Sequence, residues 1–133
     1  MKTTIYAVDD DEDNNYALKI AMEGVYPNIE IVCVNGGKQC IELLATKPLP
    51  DLILLDIMMP EVTGWDVIKI IRETTAWKNI PIIVLTARND LVAKKAGNFY
   101  GEYYVEKPYD LNDLKTKIDQ VLKRTELTTN SIK

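Results

Sequence analysis

The sequence predicts a three-layer α/β domain in which helices cover both faces of one parallel, doubly wound β-sheet. Five short apolar runs alternate with segments of helical periodicity, and this alternation is typical of βαβ units with right-handed crossovers. The runs at residues 52–55 and 82–85 are apolar at every position, as strands of a parallel sheet are when both faces are covered. A length of 133 residues suits a single domain with its own hydrophobic core.

The strands are predicted from short runs that are rich in apolar, β-branched or aromatic residues. In chain order, the five strands cover residues 4–8, 29–34, 52–55, 82–85 and 103–105. Periodicity alone does not give the order in which these strands lie in the sheet.

The helices are predicted from apolar residues that recur every three or four positions. In residues 14–24 this stripe is Tyr16, Ala17, Ile20 and Ala21, which we expect to face the core, and Gly24 suits the helix end. In residues 37–45 it is Cys40, Ile41, Leu43 and Leu44, and in residues 63–73 it is Val67, Ile68, Ile70 and Ile71. A short helix is predicted over residues 91–96, and a last helix over residues 111–122 begins after the capping residue Asp110.

Composition excludes several classes of function. The net charge is −4 at pH 7 and the lysines are interleaved with acids, so we expect no broad basic surface for nucleic acid. The chain contains no histidine, which excludes histidine-based catalysis and histidine metal sites. Cys33 and Cys40 lie in apolar segments and are interpreted as reduced core residues. No signal-peptide pattern follows Met1 and no apolar run is long enough to span a membrane, so a cytoplasmic location is expected.

The domain is predicted to cover residues 1–124, because no linker, repeat or low-complexity tract interrupts this range. Residues 125–133 are polar and are expected to form a frayed tail. They would instead be the stump of a linker if the chain had been cut from a larger protein.

Polar side chains follow the predicted strands at their carboxyl ends, where open α/β sheets bind ligands. They are Asp9, Asp10 and Asp11 after the first strand, Asp56 after the third, Thr86 and Ala87 after the fourth, and Glu106, Lys107 and Pro108 after the fifth. Carboxylates gathered at one edge of a sheet repel one another, and a hard divalent cation relieves that repulsion. Because oxygen ligands suit magnesium, these acids predict a Mg²⁺ site.

These motifs, taken in their order along the chain, resemble those of response-regulator receiver domains. They are the stretch PDLILLDIMMP from Pro50 to Pro60, with Gly64 after it, then Val8-Asp9-Asp10, Thr86-Ala87 and Lys107-Pro108. Together they cover nearly the whole chain, and their combination is very specific. The resemblance implies a flavodoxin-like fold with five helices and strand order 2-1-3-4-5, similar to the single-domain chemotaxis-type response regulators.

The resemblance implies a phosphorylation site and a set of metal ligands. Asp56 matches the residue that attacks a phosphohistidine to give an aspartyl phosphate. Asp56, Asp10 and the backbone carbonyl of Met58 match the ligands of Mg²⁺ (or Mn²⁺), with Asp9 in the outer shell or bound through water. Such a domain promotes only its own phosphorylation and slow dephosphorylation, so it is interpreted as a signalling module and not as an enzyme.

The resemblance also implies a phosphate-binding and switch group. Lys107 matches the lysine that pairs with phosphoryl oxygens, and Thr86, followed by Ala87, matches the switch hydroxyl. Tyr104 matches the switch aromatic residue, which swings between outward and inward rotamers. The peptide bond between Lys107 and Pro108 matches a position where the family has a cis bond.

The partners implied by the resemblance are a sensor histidine kinase or a histidine phosphotransfer protein as phosphodonor. No DNA-binding domain is recognised in this chain, so output is expected through a downstream protein that the sequence does not name. From Thr86 to Lys107 the chain is slightly shorter than the family pattern, and the segment 97–101 replaces the usual glycine-alanine. The output face is therefore the least defined part of the prediction.

Three other protein classes share part of these patterns. Asp9 and Asp11 resemble the nucleophile motif of haloacid-dehalogenase-type phosphatases, which is the alternative function. This alternative leaves Asp56 and the Lys107-Pro108 motif unexplained. The same acids begin like an EF-hand loop, yet Asn14 stands where a glycine is needed and Ile20 where the glutamate belongs. A flavodoxin-like electron carrier would need a hydroxyl-rich phosphate loop after the first strand, where this chain has acids that would repel phosphate.

Overall fold

The computed structural model describes the backbone of residues 2–87 and 103–132, and the side chains of residues 2–86 and 103–123. In chain order, the elements are β1 (Thr3–Val8), α1 (Glu12–Val25), β2 (Ile29–Val34), α2 (Gly37–Thr46), β3 (Leu52–Asp56), α3 (Gly64–Glu73), β4 (Ile82–Ala87), β5 (Tyr103–Lys107) and α4 (Leu111–Ile132). All five predicted strands are present, and the four helices of this part of the chain overlap their predicted ranges. The helix predicted over residues 91–96, and the segment 97–101 after it, lie outside the described residues.

The strands form one parallel sheet in the order β2-β1-β3-β4-β5, as the family resemblance implies. β3 lies in the middle, where Ile5 of β1 is opposite Leu52 and Ile82 of β4 is opposite Ile53. All five residues of β3 are buried, which agrees with its uninterrupted apolar sequence.

Two hydrophobic clusters, one on each face of the sheet, make the three layers. Because successive side chains of a strand point to opposite faces, Ile53 and Leu55 join one cluster while Leu52 and Leu54 join the other. The first cluster contains the buried residues of α2 and α3, which are Cys40, Leu44, Val67, Ile68 and Ile71. The second contains those of α1 and α4, which include Met22, Leu114, Ile118 and Val121. Both cysteines are free, Cys40 fully buried and Cys33 partly so.

The core-facing side of α1 differs from the predicted one. Tyr16 and Ile20 were expected to point inwards, but they are 63% and 55% exposed, whereas Asn15 and Met22 are buried. The helix is capped by Asp11, whose side chain accepts from the backbone N–H groups of the two residues Asp13 and Asn14. This cap starts the helix earlier than predicted. A second stripe with the same spacing, which contains Asn15, Leu18 and Met22, faces the sheet.

The last helix also differs from its prediction, since α4 continues to Ile132. The frayed tail predicted from Thr125 is therefore wrong as secondary structure. Apolar periodicity marks only the turns that pack on the core, whereas Lys123, Arg124 and Glu126 favour a helix without needing burial. The domain boundary at residue 124 stays a prediction. In the described part of the chain, no helix combines the length and the apolar character that a membrane crossing requires.

Two alanine substitutions in α1 distinguish the observed core face from the predicted one. We expect Met22→Ala to lower the free energy of unfolding by about 2–5 kcal/mol, because it leaves a cavity at a fully buried position. Ile20→Ala should change it by less than about 0.5 kcal/mol, as a surface substitution does. Urea unfolding of both variants measures this difference, and a larger loss for Ile20→Ala would contradict the observed rotation of α1.

Candidate functional site

The carboxyl ends of β1, β3, β4 and β5 bring four predicted site residues to one edge of the sheet. Asp9 directly follows β1 and Asp56 ends β3, and these two strands are neighbours in the sheet. Thr86 lies near the end of β4, and Lys107 ends β5. The parallel arrangement thus gathers residues that are far apart in the sequence.

An ion pair joins Lys107 and Asp56 at this edge. The Lys107 Nζ donates to Asp56 Oδ2 at 2.7 Å, and the two side chains are 37% and 8% exposed. Burial by itself would lower the pKa of Lys107, but the hydrogen bond and the charge of Asp56, with the charge of Asp9, hold that pKa above its ordinary value. Lys107 is therefore held as a cation in contact with the buried carboxylate.

The second oxygen of Asp56 is held by the loop that follows it. The Met58 backbone N–H donates to Asp56 Oδ1 at 2.8 Å. With Lys107 on the other oxygen, the carboxylate is fixed in one orientation. Each oxygen retains a lone pair for a further partner.

Asp9 is the second buried carboxyl group at this edge, 9% exposed. Its Oδ1 accepts a hydrogen bond of 3.0 Å from the Asp11 backbone N–H. Burial raises the pKa of Asp9 to about 6, and the neighbouring charge of Asp56 and a hydrogen bond to it also raise the pKa, against the opposing effects of the Asp11 N–H and Lys107. Asp9 and Asp56 therefore share one charge-crowded site.

Gly64 allows the start of α3 to approach the acidic residue at the end of β3. A Cβ atom at this position would lie 2.7 Å from Ile57 Cα and 2.8 Å from the backbone oxygen of Asp56. The Gly64 N–H donates to the Ile57 carbonyl at 3.1 Å, and Thr63 caps α3 through a reciprocal bond with Asp66. A side chain at residue 64 would push against the backbone that carries Asp56.

Thr86 contributes a buried hydroxyl group to this edge. It is 2% exposed, and its Oγ1 has no hydrogen-bond partner among the residues that the structure describes. Buried hydroxyl groups are normally hydrogen-bonded, and leaving one unpaired costs about 1–3 kcal/mol. An oxygen-bearing group that enters the site is a fitting partner for it.

The remaining predicted site residues differ in their exposure. Asp10 is exposed, and so is the Met58 side chain, at 73%. Tyr104 is partly buried against the core cluster of α2 and α3, whereas Tyr103 packs on the opposite cluster. The side chain of Ala87 lies outside the described side chains. The peptide bond between Lys107 and Pro108 is cis, as the resemblance implies.

Two of the acids predicted as metal ligands, Asp9 and Asp56, lie next to each other at this edge, whereas Asp10 is exposed. Among the residues with described side chains, no set of three or more Asp, Glu, Cys or His is arranged to hold a metal ion. The pair Asp9 and Asp56 nevertheless suits Mg²⁺, which binds through one or two carboxylates and keeps several waters. The unpaired Thr86 hydroxyl and the Lys107 ammonium group beside these acids suit the oxygens of an anionic group.

Asn15 is a residue of this region that the sequence analysis did not single out. It is 1% exposed, and its side-chain amide donates to the carbonyls of Asp9 and Val34. The sequence could have indicated Asn15, because it has helical spacing with the apolar residues Leu18 and Met22. It was missed because the other side of α1 was expected to face the core.

Comparisons with known proteins give a family for this arrangement. A family model described as "Response regulator receiver domain" matches residues 5–119. The response regulator ArlR of Staphylococcus epidermidis is 35% identical over 123 residues, which are 92% of this chain and 53% of that protein. The response regulator MprA of Mycobacterium leprae is 34% identical over 122 residues, 91% of this chain and 51% of that protein.

Solved structures agree with these matches. The Francisella response regulator 1452 receiver domain superimposes with a TM-score of 0.81 at 28% identity, over 93% of this chain and 99% of that one. The chain spans about half the length of the curated relatives named above. The phosphatase alternative receives no support from any of these proteins. The fold, the motifs and these similarities together establish that the chain belongs to the response-regulator receiver family.

Proposed function

We propose that this receiver domain accepts a phosphoryl group on Asp56 from a phosphohistidine of a sensor histidine kinase or a histidine phosphotransfer protein. The observation that carries the proposal is the environment of Asp56, a buried carboxylate held between Lys107 and the Met58 N–H. A solvated surface acid at a strand end would not need a cation held in direct contact with it. The family assignment supports the same role.

The transfer uses Asp56 as nucleophile. One carboxylate oxygen attacks phosphorus, the bond from phosphorus to the imidazole nitrogen breaks, and its electron pair leaves with the donor's imidazole. Lys107 already contacts this carboxylate at 2.7 Å, so its ammonium group is placed to bind the oxygens of the incoming phosphoryl group. The Met58 N–H keeps the carboxylate oriented during the attack.

Asp9, Asp10, Asp56 and the Met58 carbonyl would hold Mg²⁺ (or Mn²⁺) at this edge. When bound, the cation supplies charge neutralisation for the carboxylates and the phosphoryl oxygens. Asp9 and Asp56 are already adjacent, and Asp10 stands in the loop directly after Asp9. The chain itself thus promotes phosphorylation and slow dephosphorylation of Asp56, without acting on a separate substrate.

Thr86 and Tyr104 would transmit the phosphorylated state. The unpaired Thr86 hydroxyl gains a partner when a phosphoryl oxygen arrives, and β4 carries Thr86 next to β5, which carries Tyr104. The switch can shift only by the difference in free energy with which the phosphoryl group binds the two states. The side of Tyr104, with Ala87 and the helix expected over residues 91–96, is the proposed output face.

We propose that residues 1–124 form a cytoplasmic receiver domain that signals to a downstream protein by direct contact. The relatives ArlR and MprA are about twice as long as the matched region, so the activity of the whole protein depends on what accompanies this domain.

Replacing the acceptor tests the phosphorylation site. With acetyl phosphate and Mg²⁺, the wild-type chain should gain one phosphoryl mass by intact-mass spectrometry, and Asp56→Asn should gain none because an amide is not a nucleophile here. Asp51→Asn is the matched control, since Asp51 is an exposed acid just before the same strand. Normal labelling of Asp56→Asn would show that another residue is the acceptor.

The raised pKa of Asp9 predicts a pH dependence of stability in the absence of metal. A folded-state pKa of about 6 for Asp9, above the ordinary value of 3.8, means that the native state binds more protons than the unfolded state. The destabilisation caused by the ionised Asp9 is absent below the unfolded-state pKa and grows as pH rises through the folded-state pKa. In EDTA at pH 8, the free energy of unfolding of Asp9→Asn should therefore exceed that of wild type by on the order of 1–2 kcal/mol, and this difference should vanish near pH 4.

Urea unfolding at several pH values measures this gain, with Asp51→Asn as the exposed-acid control. A gain for Asp9→Asn that is equal at pH 4 and pH 8 would mean that its carboxyl group is not a strained anion in the native state.

A further inference from the structure

Asn15 stands apart from the other polar residues of α1 because it is buried. Among the residues with described side chains, the buried polar ones are Asp9, Asn15, Asp56 and Thr86. Three of these four belong to the proposed phosphorylation site. The fourth, Asn15, contacts the backbone of Asp9 directly.

The Asn15 amide joins the ends of two strands. Its Nδ2 donates to the Asp9 carbonyl and to the Val34 carbonyl, each at 3.0 Å, so both amide hydrogens are used. The Asp9 N–H donates to the same Val34 carbonyl at 3.0 Å, and the Asn15 N–H donates to the Asp11 carbonyl at 3.1 Å. One side chain therefore links the end of β1, the end of β2 and the first turn of α1.

We propose that Asn15 is a positioning residue for the acidic loop, acting on the carboxylates through the peptide group that joins Asp9 to Asp10. The Asp9 carbonyl belongs to that peptide group, so fixing its direction also fixes the directions in which the two acids leave the backbone. This inference rests on the proposed function, because those acids are the proposed ligands of the divalent cation. Partners of this kind, which hold a ligand in place, typically change metal affinity by 10–100-fold.

The chemistry of the contact selects an asparagine. Two carbonyl oxygens converge on one point, so the side chain must supply two N–H donors and no charge. An aspartate would set acceptor oxygens against both carbonyls, and an aliphatic residue would leave the buried Asp9 carbonyl without this donor. A purely structural role would also favour an amide, so the test must separate cation affinity from stability.

The experiment compares Asn15→Ala with Tyr26→Phe. Tyr26 caps the other end of α1, where its hydroxyl lies 3.1 Å from the Lys115 carbonyl and 2.6 Å from Asp119 Oδ1. Both variants remove the polar side-chain contacts of one residue in or capping α1, but only Asn15 touches the acidic loop. The dissociation constant for Mg²⁺ is measured by calorimetry on the unphosphorylated chain, together with the thermal midpoint in EDTA. Asn15→Ser, which retains a donor, replaces Asn15→Ala if the alanine variant does not fold.

The expected result is about tenfold weaker Mg²⁺ binding by Asn15→Ala and unchanged binding by Tyr26→Phe, even where both lower the thermal midpoint. Wild-type affinity in Asn15→Ala, or equal weakening in both variants, would overturn the inference. A second measurement separates this inference from the proposed function. In EDTA, Asn15→Ala should speed hydrogen exchange of the Asp11 amide, which donates to Asp9 Oδ1.

If the wild-type chain binds no Mg²⁺ at all, the proposed metal role fails, and the exchange of the Asp11 amide still decides the role of Asn15. Unchanged exchange at that amide would show that Asn15 does not order the acidic loop.

Discussion

The ion pair between Lys107 and Asp56 is the interaction on which the geometry of the site depends. Lys107 ends β5 and Asp56 ends β3, with β4 between them in the sheet, so the lysine side chain spans a strand to reach the acid. Without this cation, Asp56 would be a buried acidic residue without a charged partner, beside a second buried acid, Asp9. The pair therefore gives the Asp56 carboxylate a compensating charge at a position with little access to solvent.

The sheet topology explains why the acids meet at this point. In the order β2-β1-β3-β4-β5, the direction in which strands are added reverses between β1 and β3, and the carboxyl ends flanking such a point form the ligand crevice of open α/β sheets. Asp9 and Asp56 follow these two strands. Burial of β3 on both faces and the close approach of Gly64 leave little freedom to the backbone of Asp56. Rigid elements thus place the Asp56 carboxylate, while the end of β5 and the loop after β3 supply its partners.

Much of this arrangement could be predicted from the sequence, because it depends on local patterns. Uninterrupted apolar runs identified the buried strands, and polar residues directly after them identified the site edge. The strand order and the cis bond before Pro108 could not be derived from periodicity, and both came from the family resemblance. The resemblance predicted that Lys107 binds phosphoryl oxygens, and the ion pair of Lys107 with the Asp56 carboxylate itself was not predicted.

The sequence analysis missed the rotation of α1 and the extent to which the acids are buried. Two stripes on α1 have helical spacing, and spacing alone does not show which of them packs on the sheet. Asn15 was overlooked for that reason, since its importance is visible only when it faces the core. The sequence analysis considered only the repulsion between the acids; the charge of Asp56 does raise the pKa of Asp9, but burial is the larger cause. A sequence cannot supply that burial, nor does it show that Asp10 remains exposed beside the buried pair.

The central claim is that Asp9, Asp56, Thr86 and Lys107 act as one site for a phosphoryl group and a divalent cation. Titration with beryllofluoride, which mimics an aspartyl phosphate, tests this most directly through the amide chemical shifts of the intact chain. With Mg²⁺ present, the account predicts large shifts at residues 9–11, 56–58, 86–87 and 103–108, and none of these without Mg²⁺. Shifts that are absent from these segments, or that occur equally without Mg²⁺ or in Asp56→Asn, would contradict it.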